Sequence, residues 1–433
     1  MTPMSKTPPN HLIPAGTLSD DWLVRAARRF GTPIYVYDAD GIERQWTLLK
    51  AGLPDGVDLF YSVKANPSLA VIQKFAKLGA EFEVASSGEL AAVRRVGVHP
   101  SRVIFVGPGK TEAELRHAVA EGLYALVAES PREVRDVERL AEGRAERVRV
   151  VLRINPGPGK GALSTGTVRQ FGMEPEAALG VLRSASGLAN VEIVGIHGYL
   201  GGQILDWKVI LEHSRLILQT SENLQRASGR EFKFVGLGGG FGIPFHDADQ
   251  ALDLSSLGPA LADLVGEYRR RRPETERITV ESGRFLAGPS GVFVAGVVEV
   301  KRIFDRNFVM LDGGINVFRG YDRTGGLKPT PVRVLGRPEG TPEPLTLCGP
   351  LCTVSDRLSV DVLLPMPGIG DLVAYYMAGA YGYSSSPGLL LSHGFPCEVM
   401  ADGEELALIR RSYSPEDLLS GQFIPDGARY RTE

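Results

Sequence analysis

Four short apolar runs open the central part of the chain: DLFYSVKAN (58–66), AEFEVASS (80–87), VIFVGPG (103–109) and LYALVAES (123–130). The segments between them have helical periodicity, and each begins at a capping residue or a proline or ends near a glycine. A short β-branched run followed by an amphipathic helix is typical of a parallel β/α unit. The stretch therefore predicts four consecutive β/α units.

The same alternation continues for four more units. Their strand-like runs are VRVVLRINP (148–156), VEIVGIHGYLGG (191–202), FKFVGLGGG (232–240) and RITVESGR (277–284). Eight β/α units in succession are the pattern of a (β/α)8 TIM barrel. A doubly wound open sheet also alternates, but it has no preference for eight units. We therefore predict an α/β fold with a TIM barrel and keep the open sheet as the alternative.

The rhythm changes after residue 295, where strand-like runs follow one another without long helices between them. These runs begin at residues 291, 307, 331, 344, 370 and 395 and are punctuated by glycine and proline. Such a pattern predicts an all-β domain. The expected organisation is a tail with a strand at 32–38 in residues 1–40, a barrel over 41–295 and a β domain over 296–433. The strand at 32–38 is expected to pair with the β domain.

Composition excludes several classes of protein. The 433 residues carry a net charge of −3, which gives no reason to expect nucleic acid or an anionic membrane as a partner. No apolar run approaches the ~20 residues of a membrane span, and residues 1–16 lack the apolar core of a secretion signal. The three cysteines, Cys348, Cys352 and Cys397, argue against a disulfide framework and favour the cytoplasm. No His or further Cys near Cys348 and Cys352 completes a zinc site, so no metal is expected.

Lys64 stands at the end of the first predicted strand, where the active site of a TIM barrel lies. A charged lysine is expensive to bury. Lys64 is therefore either a lysine at the rim that points to solvent, or a lysine with a lowered pKa that can bond covalently to a carbonyl cofactor.

The ends of strands seven and eight bear the groups that such a cofactor needs. Gly238–Gly240, Gly283 and Arg284 follow these strands, where barrels commonly bind phosphate, and glycine lets backbone N–H groups approach an anion closely. Glu281 can keep a pyridine nitrogen protonated. A lysine, a phosphate cradle and an acid for the ring nitrogen are the requirements of pyridoxal phosphate. Together with Lys64 they predict a pyridoxal 5′-phosphate site.

Seven ordered motifs carry a resemblance to a known family. They are YSVKANP (61–67), FEVASSGEL (82–90), HGYLGGQ (197–203), GLGGGFG (236–242), ESGR (281–284), CGPLCTVSD (348–356) and AGAYGYS (378–384). The set resembles the fold-type III pyridoxal-phosphate-dependent decarboxylases, which include diaminopimelate and ornithine decarboxylases. The resemblance spans about residues 30–400.

The resemblance implies a role for each matching position. Lys64 would hold the cofactor covalently, Glu281 would bind the pyridine nitrogen, and Tyr381 would join the glycines and Arg284 at the phosphate. Glu83 and Glu89 match acidic positions near the cofactor and its lysine. Cys352 resembles the cysteine that enters the active site from the other subunit and protonates the carbanion after CO₂ loss. The resemblance thus implies a homodimer with shared sites; without it, Cys352 would be interpreted as a buried core cysteine.

Two positions depart from the family pattern. Tyr199, two residues after His197, occupies the place of a histidine that stacks on the cofactor ring; a tyrosine ring can stack but offers no imidazole N–H. Thr353 follows the cysteine where diaminopimelate decarboxylases have Glu and ornithine decarboxylases have Asp. That acid pairs with the distal ammonium of the substrate. Either another acid, such as Asp356, substitutes for it, or the distal end of the substrate is not a free amine.

The pattern around Thr353 is most similar to a subgroup that acts on conjugated amino acids, such as glutamyl groups on carrier proteins or citryl-diamine siderophore intermediates. Arg319, Tyr321 and Arg323 are candidates for contacts to such a tail, with a solvated surface role as the alternative. His393 is expected to be structural or to lie at the rim.

Four functions remain in view. The first is decarboxylation of an L-amino acid with a conjugated distal end, and the second is the same chemistry on diaminopimelate. The third is a non-catalytic regulatory homologue, against which the retained Lys64, Glu281 and Cys352 speak. The fourth is a racemase, against which the GPLC and GAYG motifs speak.

Overall fold

The computed structural model describes residues 7–8, 10–157, 170–199, 201–246, 248–319, 330–336 and 340–424. It divides into two compact units. The first, which we call the barrel unit, is Ala39–Ser290. The second, which we call the β-rich unit, consists of Met1–Asp38 and Gly291–Glu433.

The N-terminal part of the β-rich unit contains helix α1 (Asp20–Phe30) and strand β1 (Ile34–Asp38). The sequence analysis did not predict α1. Its aspartates lie in the first turn and two of its arginines lie in the last, which matches the helix dipole, and Leu23 and Ala26 are buried. Strand β1 is buried along its whole length.

Eight parallel strands close into a barrel, which confirms the predicted fold class. They are β2 (Val57–Ser62), β3 (Glu81–Val84), β4 (Val103–Phe105), β5 (Ala125–Ala128), β6 (Val148–Ile154), β7 (Val191–Gly198), β8 (Phe234–Gly236) and β9 (Arg277–Ser282). The closure is the parallel pairing of β2 with β9. All eight strands therefore end at the same face, where a TIM barrel has its active site.

Helices follow the barrel strands as the periodicity predicts. The helices of the barrel unit are α2 (Ala39–Ala51), α3 (Leu69–Lys77), α4 (Ser87–Arg95), α5 (Glu112–Glu121), α6 (Pro131–Leu140), α7 (Pro175–Ser184), α8 (Trp207–Ser228), α9 (Leu254–Arg271) and α10 (Arg284–Ala287). Local signals set several of their ends. Thr111 and Glu114 form a capping box at α5, and the Ser130 hydroxyl caps α6 before a proline in its first turn.

Apolar side chains from the strands fill the barrel. Phe60, Ile104, Val127, Val151 and Phe234 belong to one buried cluster. Large and β-branched side chains of this kind are the usual filling of a TIM barrel, so the interior is a packed core rather than a channel. Such packing gives the strand ends a rigid base.

The rest of the β-rich unit is mostly sheet. Its elements are β10 (Gly291–Ile303), β11 (Arg306–Leu311), β12 (Val332–Val334), β13 (Glu343–Cys348), β14 (Arg357–Leu364), β15 (Leu372–Tyr375), β16 (Cys397–Asp402), β17 (Glu405–Arg410) and α11 (Pro415–Leu419). The sequence analysis did not predict β14 or β17. These strands and β1 form one nine-stranded sheet.

Strand β1 lies in the middle of this sheet, antiparallel to β10 and parallel to β16. The domain boundary expected at residue 295 falls inside β10, because this strand runs unbroken from Gly291. The barrel unit accordingly ends at Ser290. Within the part of the chain that the structure describes, no helix combines the length and the apolar character needed to traverse a bilayer.

Candidate active site

Lys64 lies just beyond the carboxyl end of β2. The strand ends at Ser62, and Lys64 occupies the single 3-10 turn that follows it. Its Nζ lies 2.5 Å from Oε1 of Glu83, a buried carboxylate in the neighbouring strand β3, and its side chain is 40% exposed. The Ser62 hydroxyl donates a hydrogen bond to Oε2 of Glu83. The amine is therefore held at the rim by a fixed carboxylate and remains accessible from outside.

Glu89 has a local role in the next loop. Its Oε2 accepts a hydrogen bond of 2.8 Å from the backbone N–H of Ala85, and its own N–H donates to Oγ of Ser86. Burial raises the pKa of Glu89; the N–H of Ala85 opposes this, and the charge of Glu83 adds to it. Glu89 thus lies in the first turn of α4, close enough to the Lys64–Glu83 pair for both charges to affect its pKa.

His197 and Glu281 form a buried pair across the ends of β7 and β9. Nε2 of His197 lies 2.7 Å from Oε1 of Glu281, and both side chains are at most 4% exposed. Burial raises the pKa of Glu281, but the charge of His197, its hydrogen bond and the nearby cations together outweigh burial, so the pKa lies below its ordinary value. These cations are Lys64 and Arg153. Glu281 is therefore an anion inside the barrel mouth.

The glycines after β8 are required by close backbone contacts. Gly238 and Gly240 have φ of 74° and 105°, which is the left-handed region. A Cβ on Gly238 would lie 2.3 Å from the carbonyl oxygen of Gly198, and one on Gly239 would lie 2.1 Å from that of Glu281. The loop therefore passes directly over the ends of β7 and β9, and its three glycines place no side chain over its backbone N–H groups.

The loop after β9 is equally tight. A Cβ on Gly283 would lie 2.7 Å from Cβ of Ala65, in the turn that carries Lys64. Arg284 begins the short helix α10, and its guanidinium lies 5.9 Å from the ring of Phe245. Ser282 contributes a buried hydroxyl without a hydrogen-bond partner. Gly283 and Arg284 thus lie beside the lysine turn.

Sequence reasoning missed a second buried ion pair on this face. Nη1 of Arg153, in β6, lies 2.5 Å from Oε1 of Glu129, directly after β5, and both side chains are at most 8% exposed. The Arg153 guanidinium lies 5.6 Å from the ring of Tyr199. The signal in the sequence that could have revealed this pair was the charge of Arg153 inside the apolar run of β6.

Cys352 and Thr353, two of the predicted residues of the β-rich unit, lie in one loop. Cys352 is exposed, in the loop between β13 and β14. The hydroxyl of Thr353 pairs with that of Ser355 at 3.1 Å, inside the same loop. Cys348, by contrast, is buried, and burial raises the pKa of its thiol.

Asp356 is a structural residue of this loop. Its side chain is buried, and its two oxygens accept hydrogen bonds from the backbone N–H groups of Ile315 (2.8 Å) and Leu351 (2.7 Å). Gly314 and Gly349 leave room for the carboxylate, since a Cβ on either would lie within 2.6 Å of it. Both oxygens of Asp356 are therefore engaged by the backbone around this loop.

Tyr381 lies in a strained loop after β15. It has a φ of 58°, and Met377 in the same loop has a φ of 60°, which is uncommon for residues with side chains. The Ser386 hydroxyl of this loop accepts a hydrogen bond from the backbone N–H of Arg319. Arg319 itself is exposed. Tyr321 and Arg323 lie outside the described residues.

His393 is exposed and lines a cavity of about 340 Å³ within the β-rich unit. Some of the polar groups that line this cavity have partners in the same unit. Asp312, for example, accepts hydrogen bonds from Oγ1 of Thr32 and the N–H of Gly296. The expectation of a structural or rim position for His393 agrees with this placement.

The barrel mouth fits pyridoxal phosphate. An accessible amine at Lys64, a buried anion at Glu281 for the ring nitrogen, and the bare backbone of Gly238–Gly240 are present on one face. Two buried polar atoms there, Nδ1 of His197 and Oγ of Ser282, have no hydrogen-bond partner among the residues that the structure describes. A bound polar ligand is a common reason for such atoms.

A model of the pyridoxal-dependent decarboxylases, covering their pyridoxal binding domain, matches residues 39–288. The chain belongs to this family. Its cofactor is pyridoxal phosphate, and its relatives in the pyridoxal-dependent decarboxylase family are carboxy-lyases.

Two relatives among the pyridoxal-dependent decarboxylases illustrate the range of substrates. The L-glutamyl-[BtrI acyl-carrier protein] decarboxylase of Niallia circulans is 36% identical over 91% of this chain and 94% of its own length. The diaminopimelate decarboxylase of Neisseria meningitidis is 31% identical over 92% of this chain and 96% of its own.

Solved structures of diaminopimelate decarboxylases share the fold. The enzyme from M. jannaschii superposes with a TM-score of 0.84, at 26% identity, over 93% of this chain and 94% of that one. The Helicobacter pylori enzyme with L-lysine gives a TM-score of 0.81, at 27% identity, over 92% of this chain and 98% of that one.

Proposed function

We propose that this pyridoxal-dependent decarboxylase acts on an L-amino acid whose distal end is acylated or otherwise conjugated. The observation that carries the proposal is the loop of residues 351–356. It offers no free carboxylate, because position 353 is a threonine and Asp356 is bound by two backbone N–H groups. A distal ammonium would lose water without gaining a charge-assisted hydrogen bond from this loop.

The relative from Niallia circulans supports the conjugated substrate. Its name describes a glutamyl group attached to an acyl-carrier protein, and it is similar to this chain over 406 residues. A carrier-linked amino acid has an acyl group where diaminopimelate has an ammonium-bearing carbon. A citryl-diamino acid of a siderophore pathway has the same property, so it belongs to the proposed substrate class.

The residues of the barrel mouth would have the following roles in binding the cofactor. Lys64 would hold the cofactor covalently, and Glu281 would keep the proton on its ring nitrogen, with His197 maintaining the charge of Glu281. Gly238–Gly240, Gly283 and Arg284, together with Tyr381, would bind its phosphate. When bound, pyridoxal phosphate supplies an electron sink for the pair released as the carboxylate leaves.

Cys352 would complete the reaction. The Cα–carboxylate bond breaks, CO₂ leaves, and the electron pair that stays on Cα takes up a proton. The thiol of Cys352 is exposed in its own chain, and its neighbour Val354 is 90% exposed. An exposed thiol beside an exposed apolar side chain supports a loop that is covered by a second copy of the chain, so we include a homodimer with shared sites in the proposal.

The proposal also includes a protein partner, a contact to the substrate tail and a cellular compartment. A carrier protein would be a transient partner that presents the substrate, and Arg319 would contact the conjugated tail. The three cysteines are free, which supports activity in the reducing cytoplasm.

Diaminopimelate is the second candidate substrate, since the Neisseria meningitidis relative that is 31% identical acts on it. A CO₂-release assay with glutamyl-carrier protein, a citryl-diamino acid, diaminopimelate and ornithine separates the two. We expect kcat/KM to be highest for one of the conjugated substrates. Highest kcat/KM for diaminopimelate would contradict the proposal and favour lysine biosynthesis.

A further inference from the structure

Tyr199 follows β7 directly, at the position where the family resemblance implies a ring stacked on the cofactor. The Arg153 guanidinium lies 5.6 Å from the centroid of its ring. The same guanidinium lies 4.8 Å from the ring of Phe171, and the two rings meet edge to face at 6.4 Å. Arg153 therefore contacts both aromatic rings at once.

The Arg153 guanidinium is itself held by a buried carboxylate. Its Nη1 lies 2.5 Å from Oε1 of Glu129. The other oxygen, Oε2, accepts a hydrogen bond of 2.6 Å from the N–H of Gly172, next to Phe171. Glu129 thus fixes both the cation and the segment that carries the second ring.

Further bonds fix the same segment to β6. Nδ2 of Asn155 donates to the carbonyl of Phe171 at 2.8 Å. The N–H of Met173 donates to the carbonyl of Arg153, and the N–H of Asn155 donates to that of Met173. Phe171 therefore cannot move away from the guanidinium without breaking this short bridge.

The backbone at Glu129 is anchored as well. Its N–H donates to Oε2 of Glu133 at 3.0 Å, and Oε1 of Glu133 lies 2.5 Å from Nζ of Lys110. The Lys110 ammonium, 3% exposed, also donates to the carbonyls of Gly107 and Val127 at 2.8 Å. The position of the Glu129 carboxylate is consequently set by three loops of the barrel rim.

The backbone of Tyr199 is confined from the opposite side. A Cβ on Gly238, in the loop after β8, would lie 3.2 Å from Cα of Tyr199. Its main chain therefore rests on the phosphate-binding loop that we propose, while its ring rests on Arg153. A buried ion pair contributes little net stability, because desolvation offsets the attraction of the charges. Its function here is then to place a ring.

We propose that the Glu129–Arg153 pair positions the Tyr199 ring, so that Arg153 is a positioning residue for cofactor binding that acts through Tyr199. The inference rests on the proposed role of the barrel mouth as the pyridoxal phosphate site. Lysine at position 153 would keep the charge and could still pair with Glu129, but it lacks the planar guanidinium that lies over two rings.

The test is the dissociation constant of pyridoxal phosphate, measured by titrating the cofactor-free protein and recording its visible absorbance. We expect Arg153→Lys to raise this constant about 10-fold, as the loss of a desolvated cation–π contact would do. Arg149→Lys is the matched control, because Arg149 lies over Tyr124 at 5.4 Å in the same strand. It should leave the constant unchanged.

Coupling to Tyr199 decides whether Arg153 acts through the ring. In a Tyr199→Leu background, which loses the ring, Arg153→Lys should cause no further loss of affinity. An equal loss in both backgrounds would overturn the proposal. Should Arg153→Lys fail to fold, Glu129→Asp withdraws the carboxylate by one methylene and should also weaken cofactor binding. Unchanged affinity in Glu129→Asp would likewise overturn it.

The wild-type titration separates this inference from the proposed function. If the wild-type protein binds no pyridoxal phosphate, the proposed function fails. If it binds the cofactor and Arg153→Lys binds it equally well, only the positioning role fails.

Discussion

The mouth of the barrel and the loop of residues 351–356 differ in how they hold their functional groups. In the barrel, His197 and Glu281 are buried and bonded to each other, and the glycines after β8 leave no room for side chains. In the loop, Cys352 and Thr353 are exposed, and the buried residues Leu351 and Asp356 lie at its two ends. The functional groups of the barrel mouth are buried and fixed by their neighbours, whereas Cys352 and Thr353 of the loop are exposed on the surface of the chain.

This difference assigns the two parts different tasks. Chemistry that depends on a fixed charge needs buried, preorganised groups, because water would screen the charge. Discrimination between substrates can be changed by one exposed side chain without disturbing the core. Substitutions in the barrel mouth should therefore abolish cofactor chemistry, and substitutions in the loop should change which substrate is used.

The largest effect is expected for Lys64→Ala. Loss of the amine removes covalent attachment of the cofactor, so the visible absorbance of the bound cofactor should vanish and CO₂ release should fall on the order of 10³-fold or more. Lys77→Ala, an exposed lysine of α3, is the control and should behave as wild type. A yellow, fully active Lys64→Ala protein would show that another residue holds the cofactor.

A second prediction concerns His213 of α8 and the dependence of the free energy of unfolding on pH. Burial, with a smaller effect from the charge of His197, lowers the pKa of His213 to about 4. The unfolded chain binds this proton near pH 6.5 and the folded chain only near pH 4, so stability is lost as the pH falls between these values. The loss attributable to His213 is roughly 3 kcal/mol.

His213→Leu should therefore flatten the profile of unfolding free energy between pH 6.5 and 4, as measured by urea titration. The imidazole is buried, and its contact with the backbone of Leu237 affects the pKa less than burial does, so an apolar replacement removes the titrating group at the cost of that contact. His117→Leu, on the exposed face of α5, is the matched control. A His213→Leu profile as steep as that of wild type would contradict this assignment.

The smallest effect is expected in the loop. Thr353→Glu supplies a carboxylate beside Cys352 and should raise kcat/KM for diaminopimelate and ornithine about 10-fold, since a hydrogen bond to a charged group contributes about 1.5–3 kcal/mol. Val354→Glu places the same charge one residue further along and should not do so. No change in the preference of Thr353→Glu across the substrate panel would refute this interpretation of position 353.

The barrel could be predicted from the sequence because each strand is a short apolar run and each helix has local signals. Strands β14 and β17 and helix α1 were not predicted from the sequence. RLSVDVLL (357–364) and ELALIR (405–410) contain charged residues on their exposed faces, and both pair with strands already present in the sheet. Helix α1 does have local signals, with aspartates in its first turn and two arginines in its last, but it was not predicted in the N-terminal tail. The formation of the two strands depends on tertiary partners rather than on local pattern.

Within the site, the residues at strand ends could be predicted and the networks behind them could not. Lys64 and Glu281 stand at positions that the barrel rhythm brings to one face. Arg153 and Glu129 are single charges in apolar runs, and their pairing appears only when β5 and β6 lie side by side. The burial of Asp356 depends on Gly349 in its own loop and on Gly314 after β11, and Gly314 is distant from it in the sequence.

The most direct test of the account is to identify the lysine that holds the cofactor. Reduction of the cofactor-loaded protein with borohydride makes the attachment permanent, and mass spectrometry of its peptides then locates it. We predict that the pyridoxyl label lies on Lys64 alone. A label on another lysine, such as Lys110 at the same rim, or no label on any lysine, would contradict the account.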